Sequence, residues 1–436
     1  MDMAWLQTQI GGKSMRARFL GPCVALALLA GAMGAAAQST DSKSSQSIAA
    51  LKVKAESGDA NAQFTLGMDY DAGQGVPQNH AEATRWFRKA AEQGNATAQY
   101  NLGVAYEAGG DVPRDYAEAV KWLQKAAEQG DPFNELYLGL VYHNGVDVPK
   151  NEVEAIKWWR KAAEQGNAPA QAHLGFAYSS GEGVPQDYAQ AAVWLRKAAE
   201  KGHADAQNEL GDLYYMGWGV PQDYAQSAIW YRKAAEQGLT EAQCNLGLLY
   251  DNGVGVPQDY SQAVAWYRKA AEQGNGAAQF TLGVLYDQGH GVPQDYAQAA
   301  IWYRKAAEQG LTEAQCNLGF LYDQGHGLPQ DYTQAAIWYR KAAEQGGAEA
   351  QFNLGLLFDN GHGVPKDYAE AYFWLDLAAS GKTESETRLN GEDVKHEDIE
   401  NIRDKAASYL TPANLSREQE RARKWFEDHP VQANQQ

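Results

Sequence analysis

Three histidines, His290, His326 and His362, stand 36 residues apart, each between two glycines. Imidazoles in such a row suggest a metal column. Zinc, however, needs its nitrogens about 2 Å from one ion, whereas equivalent residues of stacked helices stand on the order of 10 Å apart. The row is therefore read as solvated turn residues and not as metal ligands. Cys244 and Cys316, the only cysteines after Cys23, lie two periods apart. Stacking separates them by on the order of 20 Å, beyond the ~7 Å reach of a disulfide, so two free, half-buried thiols are expected. No Gly-x-Ser-x-Gly, Ser-x-x-Lys or His-Glu-x-x-His motif occurs, and Ser and His never recur together in register. The repeated Gly-x-Gly lacks the preceding strand of a dinucleotide fingerprint. Neither a catalytic residue nor a cofactor is expected.

The elements that position these residues come from one unit repeated nine times. Tryptophan recurs at Trp86, Trp122, Trp158, Trp194, Trp230, Trp266, Trp302, Trp338 and Trp374. A Leu-Gly pair recurs in step from Leu66-Gly67 to Leu354-Gly355, and Val-Pro or Leu-Pro from Val76-Pro77 to Val364-Pro365. A fixed period of this length marks a stacked array. Residues 229–260 and 301–332 resemble each other more than their neighbours, which indicates duplication of a two-repeat block.

Within each unit, "DYAQAAIWYRKAAEQG" opens on the N-cap type Asp295, closes on Gly310, and puts Ala299, Trp302 and Ala306 on one face. "LTEAQCNLGFLYDQG" predicts a second helix, with Thr312 and Gln315 as a capping box. Gly-x-Gly-Val-Pro then turns the chain. A glycine in mid-helix costs about 1 kcal/mol against alanine. Gly67 and its counterparts therefore imply close helix approach, with Ala90, Ala126 and Ala162 as small partners. The nine indoles, at helical spacing beside alanines, read as core and not as a carbohydrate ladder. One such hairpin cannot bury its apolar face alone, so stacking is compulsory. Period-two strands are not evident, and the predicted class is all-α.

The pattern A-x-x-LG-x-x-Y-x-x-G-x-GV-x-x-D-x-x-A-x-x-W-x-x-KAA-x-x-G resembles the Sel-one-like repeat (SLR), a relative of the tetratricopeptide repeat, over roughly residues 51–381. The resemblance implies a right-handed α/α superhelical solenoid of nine 36-residue repeats that presents a groove to other macromolecules, usually proteins. A cysteine-rich branch of the family, with a disulfide in each repeat, has been linked to β-lactam binding or hydrolysis. This chain lacks that hallmark. A cell-wall (peptidoglycan or β-lactam) binding protein or weak β-lactamase is accordingly the alternative reading.

The ends differ from the repeats. Residues 1–37 are expected to be a leader with a secretory signal peptide: from Met15, the true start on this reading, Arg16 and Arg18 precede an apolar run, and Ala35-Ala36-Ala37 offers a cleavage site. A lipoprotein reading of Cys23 is weak, because Pro22 precedes it and the apolar run mostly follows. Residues 38–47 read as a flexible linker, 48–58 as a half-repeat cap without its Trp, 59–381 as the solenoid and 382–436 as a C-terminal helical cap. In that cap Ser416 and Gln419 are expected to open the second helix as a capping box. The implied location is a bacterial periplasm or the outside of the cell, with no membrane span after cleavage.

Cleavage removes one of the 55 acidic and three of the 37 basic residues (Asp2, Lys13, Arg16, Arg18), leaving a charge of −20. Nucleic acid is disfavoured as a partner, since it calls for a basic stripe. A basic or amphipathic protein or peptide suits the charge better.

Packing residues are shared by all repeats, so a partner would be read by positions that vary. By analogy with the tetratricopeptide pattern these lie on the first helix of each unit. One column runs Phe64, Tyr100, Leu136, Ala172, Asn208, Cys244, Phe280, Cys316, Phe352; a second runs Asp71, Glu107, His143, Ser179, Tyr215, Asp251, Asp287, Asp323, Asp359. A third runs Met68, Val104, Leu140, Phe176, Asp212, Leu248, Val284, Phe320, Leu356. Together they predict a groove with an apolar floor and an acidic margin, whose contact residues are Phe64, Tyr100, Asp251, Phe280, Asp287, Phe320, Asp323, Phe352 and Asp359. The apolar columns are equally compatible with inter-repeat core. The expected protein is a monomeric, non-enzymatic scaffold, a regulatory role among its readings, that binds a protein or peptide in this groove. A secreted factor acting on host proteins would read the same way.

Overall fold

Each repeat places an Asp or Asn where a helix must begin, and the side chain caps it. Asp295 accepts from the backbone N–H of Gln298 at 3.0 Å, and Asp187, Asp223, Asp259 and Asp331 act alike at the same position. A computed structural model describes residues 45–109, 112–145, 149–380, 387–389, 392–394 and 396–429; the expected leader and residues 38–44 of the expected linker lie outside them.

The chain divides into two compact units, Met1–Gln237 and Gly238–Gln436. In the first unit α1 (Ser45–Glu56) precedes five hairpins: α2 (Ala60–Ala72) with α3 (His80–Glu92), α4 (Ala96–Ala108) with α5 (Tyr116–Ala127), α6 (Pro132–Asn144) with α7 (Glu152–Glu164), α8 (Ala168–Ser180) with α9 (Tyr188–Glu200), and α10 (Ala204–Met216) with α11 (Tyr224–Glu236). The second unit has four more: α12 (Thr240–Asn252) with α13 (Tyr260–Glu272), α14 (Gly276–Gln288) with α15 (Tyr296–Glu308), α16 (Thr312–Gln324) with α17 (Tyr332–Glu344), and α18 (Ala348–Asn360) with α19 (Tyr368–Ser380). Strands β1 (Thr387–Leu389) and β2 (Glu392–Val394) pair antiparallel, and α20 (His396–Ser408) and α21 (Pro412–Asp428) follow.

The architecture is an all-α helical solenoid, with one three-residue hairpin added. That hairpin went unread because its strands are too short for an alternating pattern. The signal that could have found it is the Asn390-Gly391 dipeptide between them, a strong hairpin-turn sequence. Helix α1 also begins at Ser45, inside the stretch read as linker.

All nine indoles are buried, from 3 % exposed at Trp158 to 8 % at Trp302. In the first eight repeats the lysine three residues on lies over its own ring, as Lys305 does 4.1 Å from the centre of Trp302. Each lysine stem thus shields the outer face of the indole while its charge stays wet.

The mid-helix glycines do mark close approach, against a bulky side chain and, at Gly67, Gly103 and Gly139, the carbonyl of Ala83, Ala119 and Ala155. A Cβ on Gly283 would lie 2.6 Å from Tyr303 Cδ1, and one on Gly67 would lie 2.7 Å from Phe87. The residue after each tryptophan is bulky and supplies the side chain nearest the glycine, which corrects the expectation of Ala90, Ala126 and Ala162 as its partners.

Both expected capping boxes are corrected too. Helix α16 has Leu311 as its N-cap, with no side-chain bond. Thr312 Oγ1 pairs instead with Gln345 Oε1 at 3.2 Å, and Gln315 donates to the Ala307 carbonyl at 3.2 Å. Helix α21 starts at Thr411 and Pro412, which leaves Ser416 inside it.

Gln315 belongs to a buried ladder. Gln63, Gln99, Gln171, Gln207, Gln279, Gln315 and Gln351 each donate to a carbonyl of the preceding repeat, eight residues back. Most of them accept in turn from a glutamine thirty residues on, as Gln279 does from Gln309. In repeat three Glu135 takes the acceptor's place, 2.7 Å from Gln165, and burial raises its pKa.

Candidate partner-binding face

The first helices of the repeats carry the three columns. Their burial decides between groove and core. Tyr100, Phe280 and Phe352 are 8 %, 8 % and 5 % exposed and pack inside the apolar clusters between repeats. They are core, which corrects their assignment as partner contacts. The physical reason is that a helix sandwiched between two second helices has little free face, and this column points into the following hairpin. Phe64 and Phe320 are half-buried, packed at cluster edges with part of each ring open. In the second unit the third column presents Val284, Phe320 and Leu356 half-buried.

The acidic column fares differently. Asp251, Asp287 and Asp323 are half-buried at the ends of α12, α14 and α16, and burial raises the pKa of each carboxyl. Asp287 accepts from the Tyr303 hydroxyl at 3.3 Å. Among the described residues no lysine or arginine pairs with any of these three. Asp359 is the exception: it is 7 % exposed, and Lys405 Nζ of α20 lies 3.6 Å from its Oδ2. It is removed from the set of free partner contacts.

Each aspartate belongs to a set of four positions that joins one repeat to the next. Gln258 donates to the Asp251 carbonyl at 2.8 Å and to the Tyr260 hydroxyl at 2.9 Å. His290, from the following loop, lies flat on Tyr260 with ring centres 4.9 Å apart. The sets Asp287–Gln294–Tyr296–His326 and Asp323–Gln330–Tyr332–His362 repeat this geometry, with stacks at 4.8 and 4.7 Å. The histidines are the solvent-open turn residues expected, and each is in addition seated on a ring of the preceding repeat. The flanking glycines explain how. A Cβ on Gly291 would fall 2.4 Å from the Tyr260 carbonyl carbon, so only glycine lets the loop approach so closely.

The same four positions carry other chemistry in the first unit. Ser179, Gln186, Tyr188 and Trp218 keep the bonds and the stack, at 5.0 Å, without charge. One repeat earlier the set is His143, Lys150, Glu152 and Glu182. His143 Nδ1 lies 2.8 Å from Glu152, and Lys150 Nζ lies 2.7 Å from one oxygen of Glu152 and of Glu182. One imidazole and two carboxylates are a plausible metal donor set. The ammonium, however, already stands between the carboxylates, where a bridging cation would have to stand. Its hydrogen bonds to Glu152 and Glu182 raise its pKa and hold it there. This junction is an ion cluster whose carboxylates are already bridged by its own lysine.

Cys244 and Cys316 form no disulfide and are poor nucleophiles. Cys244 is half-buried and Cys316 buried; burial pushes the Cys244 thiol up to about 12 and the Cys316 thiol well above its ordinary range. At the end of the second unit, α20 and α21 pack on α19. Tyr409 stacks on Tyr368 at 4.2 Å, and the Arg421 guanidinium lies 3.7 Å from the centre of Phe373 and pairs with Glu370. Among the described residues no helix is long and apolar enough to cross a membrane.

Known proteins agree with this architecture. The chain matches the Sel1 repeat family over residues 60–131, 135–382 and 406–427, the last falling on α20 and α21. None of the curated proteins matches it. Among solved structures, a Sel1 repeat protein from Oxalobacter formigenes is 38 % identical, with 71 % of this chain and 90 % of that chain covered and a TM-score of 0.60. A protective antigen present in uropathogenic Escherichia coli strains, displaying an SLR fold, is 36 % identical over 86 % of this chain and 94 % of its own, with a TM-score of 0.48. Sel1 repeats commonly mediate protein interactions. By its matched repeats and by the fold they build, the chain belongs to the Sel1 repeat family.

Proposed function

We propose that the protein is a non-enzymatic scaffold of the periplasm or the extracellular space that holds a basic protein or peptide segment along α12, α14 and α16. One observation carries the reading. Asp251, Asp287 and Asp323 recur in register, half-buried, with raised pKa values and no lysine or arginine beside them among the described residues. Partly desolvated carboxylates with no lysine or arginine paired to them are unfavourable in the free protein. A cationic partner would relieve that cost, and half-buried Val284 and Phe320, three residues before Asp287 and Asp323, suit the stems of lysine and arginine. The net charge of −18 steers such a partner inward.

The test is capture from periplasmic extract by the wild-type chain and by a variant with Asp251→Lys, Asp287→Lys and Asp323→Lys. Loss of the captured proteins in the variant supports the reading; an unchanged set rejects it. The location rests on the signal-like segment from Met15 to Ala37. N-terminal sequencing of exported protein should begin at Gln38, and retention of the whole chain in the cytoplasm would refute export.

A further inference from the structure

An arginine two residues past the tryptophan has a fixed partner in most repeats. Arg160 donates to the Tyr178 hydroxyl at 2.8 Å, and Arg88, Arg196, Arg268 and Arg304 donate likewise to Tyr106, Tyr214, Tyr286 and Tyr322. At Arg340 the equivalent residue is Phe358, which has no hydroxyl to offer. The guanidinium stands 5.5 Å from the centre of that ring and makes no hydrogen bond or ion pair among the described residues.

The ninth repeat departs from the pattern at the same end of the chain. Leu377 stands where the first eight repeats have the lysine that covers their indole. Helix α21 crosses this side instead. Arg421 lies on Phe373 of α19, and a Cβ on Gly346, just past α17, would be 3.6 Å from Trp425 Cη2. Between α17, α19 and α21 lies an open cavity of about 660 Å³, within the range of roughly 300–1,000 Å³ found for ligand pockets. Phe373 and Trp374 line it from α19, Trp425 from α21 and Arg340 from α17.

The other cations around the cavity are already paired: Arg417 with Glu418, Arg421 with Glu370, and Lys424 with Glu420. Glu344 and Asp428, also in the lining, pair with no cation among the described residues. One free guanidinium and two free carboxylates thus surround a set of aromatic rings.

We propose that this cavity binds a free α-amino acid with a large apolar side chain. The α-carboxylate pairs with Arg340, the α-ammonium with Glu344 and Asp428, and the side chain packs on Phe373 and Trp425. A guanidinium fork suits a carboxylate, which it can grip with two parallel hydrogen bonds. A simple anion would meet the two carboxylates and a simple cation would meet Arg340, whereas a zwitterion satisfies both. Aromatic walls take the apolar body. The inference is independent of the acidic row on α12, α14 and α16.

The test is equilibrium dialysis of the full chain against isotope-labelled L-phenylalanine at neutral pH and low salt. Saturable binding of one molecule per chain is expected. Unlabelled 3-phenylpropionate and phenethylamine, which each lack one of the two charges, should compete about tenfold or more less well than L-phenylalanine. Arg340→Gln should weaken binding by a similar factor. Phe358→Tyr keeps the guanidinium but returns the hydroxyl that it lacks, so it should also weaken binding, with no loss of stability in a thermal melt. No saturable binding of labelled L-phenylalanine, L-tryptophan or L-leucine overturns the site, as does binding that neither variant weakens. Competition by 3-phenylpropionate as strong as that by L-phenylalanine overturns the zwitterion.

Discussion

Gln309 donates its side-chain amide to Gln279 Oε1 at 2.8 Å, and Gln279 passes its own amide to the carbonyl of Ala271 in the preceding repeat. Three successive helices are thus joined by one polar chain, buried at Gln279. Replacing Gln279 by Leu removes both bonds, while the Ala271 carbonyl keeps the Gly274 N–H and the exposed Gln309 amide keeps the Gly274 carbonyl. Each lost hydrogen bond costs about 0.5–1.5 kcal/mol, so the two together cost about 1–3 kcal/mol. Urea melts followed by circular dichroism should show a loss in that range; a loss no larger than that of a surface substitution such as Glu308→Gln would refute the ladder's role.

The glycine slot makes a prediction opposite to helix propensity. Gly283→Ala gains about 1 kcal/mol from propensity, but its Cβ would press on the ring of Tyr303 at 2.6 Å. Overpacking of this kind costs about 1–3 kcal/mol. The variant should be less stable than the wild type in a thermal melt, and a raised Tm would show that the helices can move apart freely.

Core and edge aromatics should separate cleanly. Phe352→Ala empties a buried site and is expected to cost about 3–5 kcal/mol, while Phe320→Ala removes a half-open ring and should cost clearly less. Equal losses in denaturant melts would contradict the division of the columns into core and face.

Repeat four contains a pH liability. His173 lies against Trp159 with ring centres 4.7 Å apart, and burial lowers its pKa from 6.5 to about 3. The folded chain resists a proton that the unfolded chain accepts. Stability is therefore full above about pH 6.5 and falls as the pH drops toward 3, by roughly 1.4 kcal/mol per pH unit at most. His173→Phe should flatten that slope in urea melts between pH 7 and 5; an unchanged slope would place the liability elsewhere.

Asp251 works in the opposite direction. Burial raises its pKa in the folded state, so the ionised carboxyl destabilises the fold at neutral pH, and the effect fades as the pH falls through the raised folded value and is gone below the unfolded value near 3.9. Asp251→Asn should stabilise the chain at pH 7 and make little difference at pH 3. A loss of stability at pH 7 would mean that the carboxylate has a cation in the free protein.

The linear chain by itself determined the period, the two helices of each unit, and the burial of nine indoles. Those features depend on neighbours in sequence: caps, turns, and apolar spacing along one helix. What the chain left open was which varying positions face a partner. Phe280 and Phe320 are the same residue type on the same kind of helix, yet one is core and the other borders the open face. They stand in different columns, four positions apart in the repeat, and only the docking of the next hairpin decides which column is covered. The junction sets were hidden for the same reason. Asp287, Gln294, Tyr296 and His326 span forty positions, and nothing local says that a glutamine will bond one of them, or that an imidazole will settle on a ring thirty residues behind it. Stacking of successive repeats brings them together, and that contact exists only in three dimensions.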